Sequence, residues 1–165
     1  MARTWTPESD APKPGEPASV KELRAWFERL PKMRELIRQQ QERISSLKNA
    51  ATSTTSGTSG APGRSGTSDK VGRNCDAAID AEQRLNELKC QYAEMQKSAI
   101  DVAYLLHADA ASIKRSRCLI LYFVEGKRQA EIARIVGYSK PCQVSQAVSD
   151  GLEQLAEITT ELNLG

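Results

Sequence analysis

The chain has 165 residues, with 23 Lys/Arg against 21 Asp/Glu for a formal net charge of +2, and 39% of its residues are hydrophobic. That length suits one domain, or a small domain with an extended appendage, and the near-neutral charge excludes a chain that binds polyanions along its whole length. Four cysteines without a C-x-x-C pair and a single histidine, His107, exclude a clustered metal site, and no signal peptide or membrane-length apolar run is present.

Taken in order, residues 1–18 (MARTWTPESDAPKPGEPA) hold four prolines and mixed charges without periodicity, the composition of a disordered tail in which Trp5 alone could dock. From Ser19 the pattern changes. Leu23, Trp26, Leu30, Met33, Ile37, Gln40, Ile44 and Leu47 step by three and four, which predicts an amphipathic helix over 19–50. Pro31 disfavours helical geometry at Leu30 and removes a backbone donor, so a kink or break is expected near it. Gln40 is polar at a seam position, either a register device or a tolerated imperfection.

Residues 51–70 (ATSTTSGTSGAPGRSGTSDK) are almost pure Ser, Thr and Gly and are expected to be a loop. It is either a flexible connection or, through Arg64, Lys70 and Arg73, a sequence-blind phosphate contact; no Walker pattern is present. Ser68 or Asp69 can cap a second long helix, expected over 71–107, whose seam is Leu85, Leu88, Tyr92, Met95, Ala99, Val102 and Leu106. Residues 21–50 carry eight Lys/Arg against four Asp/Glu and residues 75–107 three against six, so the two segments are electrostatically suited to pair. The expected arrangement is a long antiparallel helical hairpin, coiled-coil-like, or one helix pair of an oligomer.

The C-terminal part, 108–165, is expected to fold as a separate helical domain. Asp109 or Ser112 can cap its first helix, and His107 lies at a helix end. The apolar run Cys118–Val124 stops at Glu125-Gly126, where glycine suits a helix C-terminus. Ile132, Ala133 and Val136 share one face of a short helix that ends at Gly137. Ser139 stands where a cap belongs, Pro141 is tolerable in a first turn, and Val144, Val148, Leu152 and Leu155 line one side of a longer helix. Two helices joined by a tight glycine turn, with a third behind them, predict a helix-turn-helix. Cys75 and Cys118 are read as small hydrophobes on apolar faces.

With that core, 100° per residue turns Ser139, Cys142, Gln143, Gln146, Ser149 and Asp150 outward, and Lys140 at the helix start can reach a phosphate or a guanine. Ser139, Lys140, Gln143, Gln146 and Ser149 are the candidate base-facing residues, the glutamines because their amide fork matches adenine N6/N7 in the major groove. Lys127, Arg128, Arg134, Arg115 and Arg117, with Lys114, are candidate phosphate contacts. From Ala108 onward seven basic residues face seven acidic ones, so weak monomer affinity is expected. No nucleophile–base pair or phosphate cradle emerges, and neither an enzyme nor a cofactor is expected.

The string FVEGKRQAEIARIVGYS resembles region 4 of bacterial sigma factors, whose turn typically reads Y-x-E-G … E-I-A-x-x-L-G-Y-S. The matching positions are Phe123, Glu125, Gly126, Glu131, Ile132, Ala133, Val136, Gly137, Tyr138 and Ser139. Over roughly residues 30–158 the order of parts is similar to a family of small phage and prophage proteins, mostly of Gram-positive bacteria, described as sigma-factor-like or late-operon transcriptional regulators. In these a basic amphipathic helix is followed by a segment close to Ala51-Thr52-Ser53-Thr54-Thr55-Ser56 and Ser68-Asp69-Lys70-Val71-Gly72. Lys127-Arg128-Gln129 departs from the usual Leu-Ser-aromatic lead-in, and the turn before Val144 is one residue longer.

The resemblance implies an all-α transcriptional regulator with a sigma-region-4-like helix-turn-helix, acting on double-stranded DNA in the host bacterial cytoplasm. Bacterial RNA polymerase and further copies of the chain are its other candidate partners, and no membrane contact is expected. Alternatives are a DNA-packaging component like a small terminase subunit, and a protein-binding helical module with a vestigial DNA fold. The scarcity of aromatics in the first hundred residues argues against an autonomous sigma factor, which needs a melting domain.

Overall fold

The computed structural model describes residues 18–53 and 67–161, and among them every regular element is helical. The helices are α1 (Val20–Phe27), α2 (Arg29–Ser53), α3 (Thr67–Ala103), α4 (Ala110–Leu119), α5 (Gln129–Val136) and α6 (Cys142–Glu161); α4 continues into one π-helical turn, Ile120–Val124. They form two compact units, one made of the described residues up to Lys32 together with those from Ala93 onward, the other of Met33–Tyr92. No helix among the described residues is long and apolar enough to cross a membrane.

The first unit is built around α4, α5 and α6, with α1 packed against α6. Helix α1 starts at a full capping box. The Ser19 hydroxyl accepts from the Glu22 N–H, while the Glu22 carboxylate accepts from the Ser19 N–H at 2.8 Å, which holds that carboxyl below its ordinary pKa. Leu23 and Phe27 are fully buried and Trp26 nearly so; the Phe27 ring lies 5.2 Å from Phe123 at a 30° tilt. Leu23, Trp26 and Leu30 open the predicted 19–50 seam, yet they belong to a different compact unit from the seam beyond Lys32. The break falls at Glu28, ahead of Pro31, whose missing N–H is harmless in the first turn of α2.

Asp109 caps α4 by accepting from the Ser112 N–H at 2.7 Å. Ser112, completely buried, exchanges hydrogen bonds with the Gln154 amide of α6, to which Arg115 also donates at 3.1 Å. Helix α4 packs tightly on α6 at Gly151, where a Cβ would stand 3.2 Å from Leu119 Cδ1. At the end of α4 the Glu125 N–H bonds to the Ile120 carbonyl and the Lys127 N–H to the Leu121 carbonyl, and Gly126 takes φ +68°. Cys118 is buried, and desolvation pushes its thiol pKa up. Cys75, by contrast, is exposed, which corrects its reading as a small hydrophobe on an apolar face.

The second unit pairs the α2 and α3 segments within 33–92. Ile44, Ala81 and Leu85 form its core, with Ile37 and Leu47 packed alongside. Arg34 donates to the Tyr92 hydroxyl at 3.1 Å, Gln40 to the Ala81 carbonyl at 3.4 Å, and Lys48 pairs with Glu82. On α2, Arg38 binds Glu35 and Glu42 along one exposed face, lowering the Glu35 pKa to about 2.

Both ends of the Ser/Thr/Gly stretch 51–70 are helical, which corrects its reading as loop throughout. Helix α2 runs to Ser53, with the Thr52 hydroxyl donating to the Lys48 and Asn49 carbonyls, and α3 already begins at Thr67. The tail 1–17 and residues 54–66, including Arg64, lie outside the described residues, as does the Lys70 side chain. Helix α3 ends at Ala103, four residues before the expected 107. His107 therefore lies beyond it and stacks on Tyr104, with ring centroids 5.2 Å apart.

Candidate nucleic-acid interface

The candidate surface is the exposed side of α6 and the turn that leads into it. Helix α5 begins at Gln129, and Arg128 occupies its N-cap position without a side-chain capping bond, the local consequence of the Lys-Arg-Gln lead-in. It ends at Gly137, whose φ of +84° costs an L side chain strain, and the Tyr138 N–H returns to the Ala133 carbonyl at 2.8 Å. The chain then enters α6 at Cys142, with the Gln143 and Val144 N–H groups bonded to the Lys140 and Pro141 carbonyls.

Val144, Val148, Leu152 and Leu155 are buried, as their spacing predicts, so Cys142, Gln143 and Gln146 stand exposed on the opposite side with Ser139 and Lys140 at its start. Two details differ from the sequence expectation. Ser139 does not cap α6, because the helix starts three residues later; its hydroxyl donates to the Gln143 side-chain carbonyl, which also accepts from the Lys140 N–H at 3.0 Å. Ser149 is half-buried, because α1 lies over that flank and the Arg24 Nη2 donates to its hydroxyl at 3.2 Å. The Gln146 amide in turn donates to Asp150 at 2.7 Å. Among the described residues Gln143 thus keeps an unengaged NH₂ edge and Gln146 an unengaged carbonyl, each held by a local, solvent-exposed bond of the kind a ligand can exchange.

The candidate phosphate contacts divide by environment. Lys127 donates to Glu131 at 3.1 Å and lies 3.7 Å from Glu125; the Glu131 bond raises its pKa and keeps the amine close to its own carboxylates. Arg115 is half-buried between Gln154 and Asp150. Arg117, Arg128, Arg134 and Lys140 are exposed, and among the described residues none of them forms an ion pair. Lys114 lies 5.9 Å over the Tyr138 ring. Tyr138 itself packs toward Cys118, and burial raises its pKa.

Sequence reasoning missed Arg24. It stands 125 positions from Ser149 and belongs to a helix whose seam reads as part of another pairing. No local pattern carries that signal. Among the described residues no cluster of His, Cys, Asp and Glu could hold a metal ion. Comparison with protein-family models, curated proteins and solved structures finds no match to this chain.

Proposed function

We propose that this chain is a DNA-binding transcriptional regulator of phage type, in which α5, the Gly137 turn and α6 act as a sigma-region-4-like helix-turn-helix with α6 in the major groove. The observation that supports this best is the division of α6 between a buried stripe (Val144, Val148, Leu152, Leu155) and an exposed one of uncharged polar side chains with Lys140 at its entrance. Groove edges are read by such side chains, and cations flanking the helix hold the backbone. In this reading Gln143 and Gln146 read base edges, and Ser139 and Lys140 flank them. Arg128, Arg134 and Arg117 hold phosphates, with Lys127 and Arg115 joining them only by exchanging their internal partners.

The α2 and α3 segments act as an antiparallel helical hairpin that pairs copies of the chain or docks a partner such as RNA polymerase. Its described hydrophobic core is small, limited to Ile44, Ala78, Ala81 and Leu85, which suits a helix pair completed by another surface.

Selected-site binding titrated at two or more salt concentrations tests this. Replacing Gln143 and Gln146 by Ala should cost roughly 1–3 kcal/mol per lost bidentate contact at the preferred site and leave random-sequence binding and its salt slope unchanged. Arg128→Ala should weaken binding to every sequence alike and reduce the salt slope by about one. Equal losses on specific and random DNA for the glutamine pair would refute base reading by α6.

A further inference from the structure

Between α1, the π-helical turn, α5 and α6 lies a cavity of about 90 Å³ lined by Arg24, Tyr122, Gln129, Val144, Ser145, Val148 and Ser149. This is room for a group of a few heavy atoms. Its walls hold one guanidinium, two serine hydroxyls, a phenol and a carboxamide, and no carboxylate. Glu28 and Glu153 each stand one helical turn away from Arg24 and Ser149 along their own helices. Among the described residues Arg24 forms no ion pair, and its hydrogen bond to Ser149 uses one of the five N–H donors of a guanidinium. A cation in a niche of hydroxyl and amide groups has the chemistry of an oxyanion site.

We propose that this niche binds one phosphodiester group of duplex DNA, with Arg24 as its cation and Ser145, Ser149 and Gln129 as hydrogen-bonding walls. The inference rests on the reading of α6 as the groove-facing helix. Ser149 lies at the border of the exposed stripe that holds Cys142 and Gln146, so a phosphate held by Arg24 sits beside the bases the stripe would read, not over them. Such a contact fixes the height and tilt of α6 in the groove and carries no sequence preference. It also gives α1 a role beyond packing, because a helix more than a hundred residues upstream in sequence supplies a contact that α5 and α6 lack on this flank.

The test uses the full chain, with Arg24→Gln to remove the charge and Ser145→Glu to set a carboxylate into the niche at an exposed position. Duplex DNA of preferred and of random sequence is titrated over a range of salt. Arg24→Gln is expected to weaken both alike and to lower the salt slope by about one, and Ser145→Glu to cost on the order of tenfold or more on both. If the wild type binds DNA and Ser145→Glu binds with unchanged affinity and slope, the niche is not a phosphate site, while the reading of α6 stands. Should Arg24→Gln loosen α1, seen as a lowered melting temperature, Ser145→Glu decides alone. If the wild type binds no duplex, that reading fails. The Arg24 Nε–Hε resonance, titrated with inorganic phosphate at constant ionic strength, then decides the niche separately. A saturable shift absent in Ser145→Glu would retain it as an oxyanion site, and no shift would overturn it.

Discussion

Asp109 shows how one side chain sets the start of the first helix behind the turn. Its carboxylate accepts the Ser112 N–H, and that bond holds its pKa below the ordinary aspartate value of about 3.9. A depressed folded-state pKa means that the charged form is favoured by folding. The stabilisation is therefore present above the unfolded-state value and is lost as pH falls through the folded-state value. Asp109→Ala should melt below the wild type at neutral pH, Asp109→Asn close to it, and the gap between wild type and Ala should narrow as pH drops below about 3.9. Thermal melts across that range measure it, and a gap independent of pH would show that the charge plays no part in the cap. Gly151 is the opposite case, a residue whose role no local pattern announces. Its missing side chain lets α4 approach α6 at Leu119, and only the packed pair makes that visible.

At the scale of elements, what repeats every three or four residues was legible and what depends on partner choice was not. The seams of α2 and α3 and the buried stripe of α6 sit where their spacing puts them, because an amphipathic helix must bury its apolar face whatever it packs against. The spacing does not say against what. Leu23 and Trp26 continue the α2 seam without a break in period, yet Glu28 separates them from α2, and their helix packs on α6, with Phe27 against Phe123. The exposed stripe of α6 was legible for the same periodic reason, whereas the Arg24 bond to Ser149 and the ties of Gln143 and Gln146 depend on tertiary neighbours and rotamers. Because α1 belongs to the same compact unit as α4, α5 and α6, residues 108–165 are expected to depend on it for their stability. Phe27→Ala should cost about 3–5 kcal/mol in the first unit, as for large-to-small changes at fully buried aromatics. A 108–165 fragment should be markedly less stable than the same unit in the full chain, and a peptide of residues 18–32 added in trans should restore part of the loss. A fragment that melts like the intact unit would show that α1 is an appendage.

For the whole molecule the decisive property is that two cores of very different size share one chain. The first unit buries many of its side chains completely, Leu23, Phe27, Leu106, Leu119, Ile132, Val144, Leu152 and Leu155 among them, whereas in the second the best-buried hydrophobics keep 7–9% of their surface. Ile44 is central to that smaller core, and an Asp there would strand a carboxylate among Ala81, Leu85, Ile37 and Leu47. Ile44→Asp should therefore abolish the second unit's helix pairing and leave the first folded. Trp26, buried in the first unit, separates the two outcomes once Trp5 is changed to Phe. Far-UV circular dichroism should lose helix signal while Trp26 emission stays blue-shifted. If emission shifts red together with the helix loss, the two cores melt as one. The same variant bears on the proposed role of the hairpin. If this unit joins copies of the chain, Ile44→Asp should remove the concentration dependence of sedimentation and weaken binding to a site with two half-sites. Affinity for a single half-site should be unchanged, because only the effective concentration of the second contact is lost. Wild-type sedimentation as a monomer at all concentrations would assign the hairpin to a different partner.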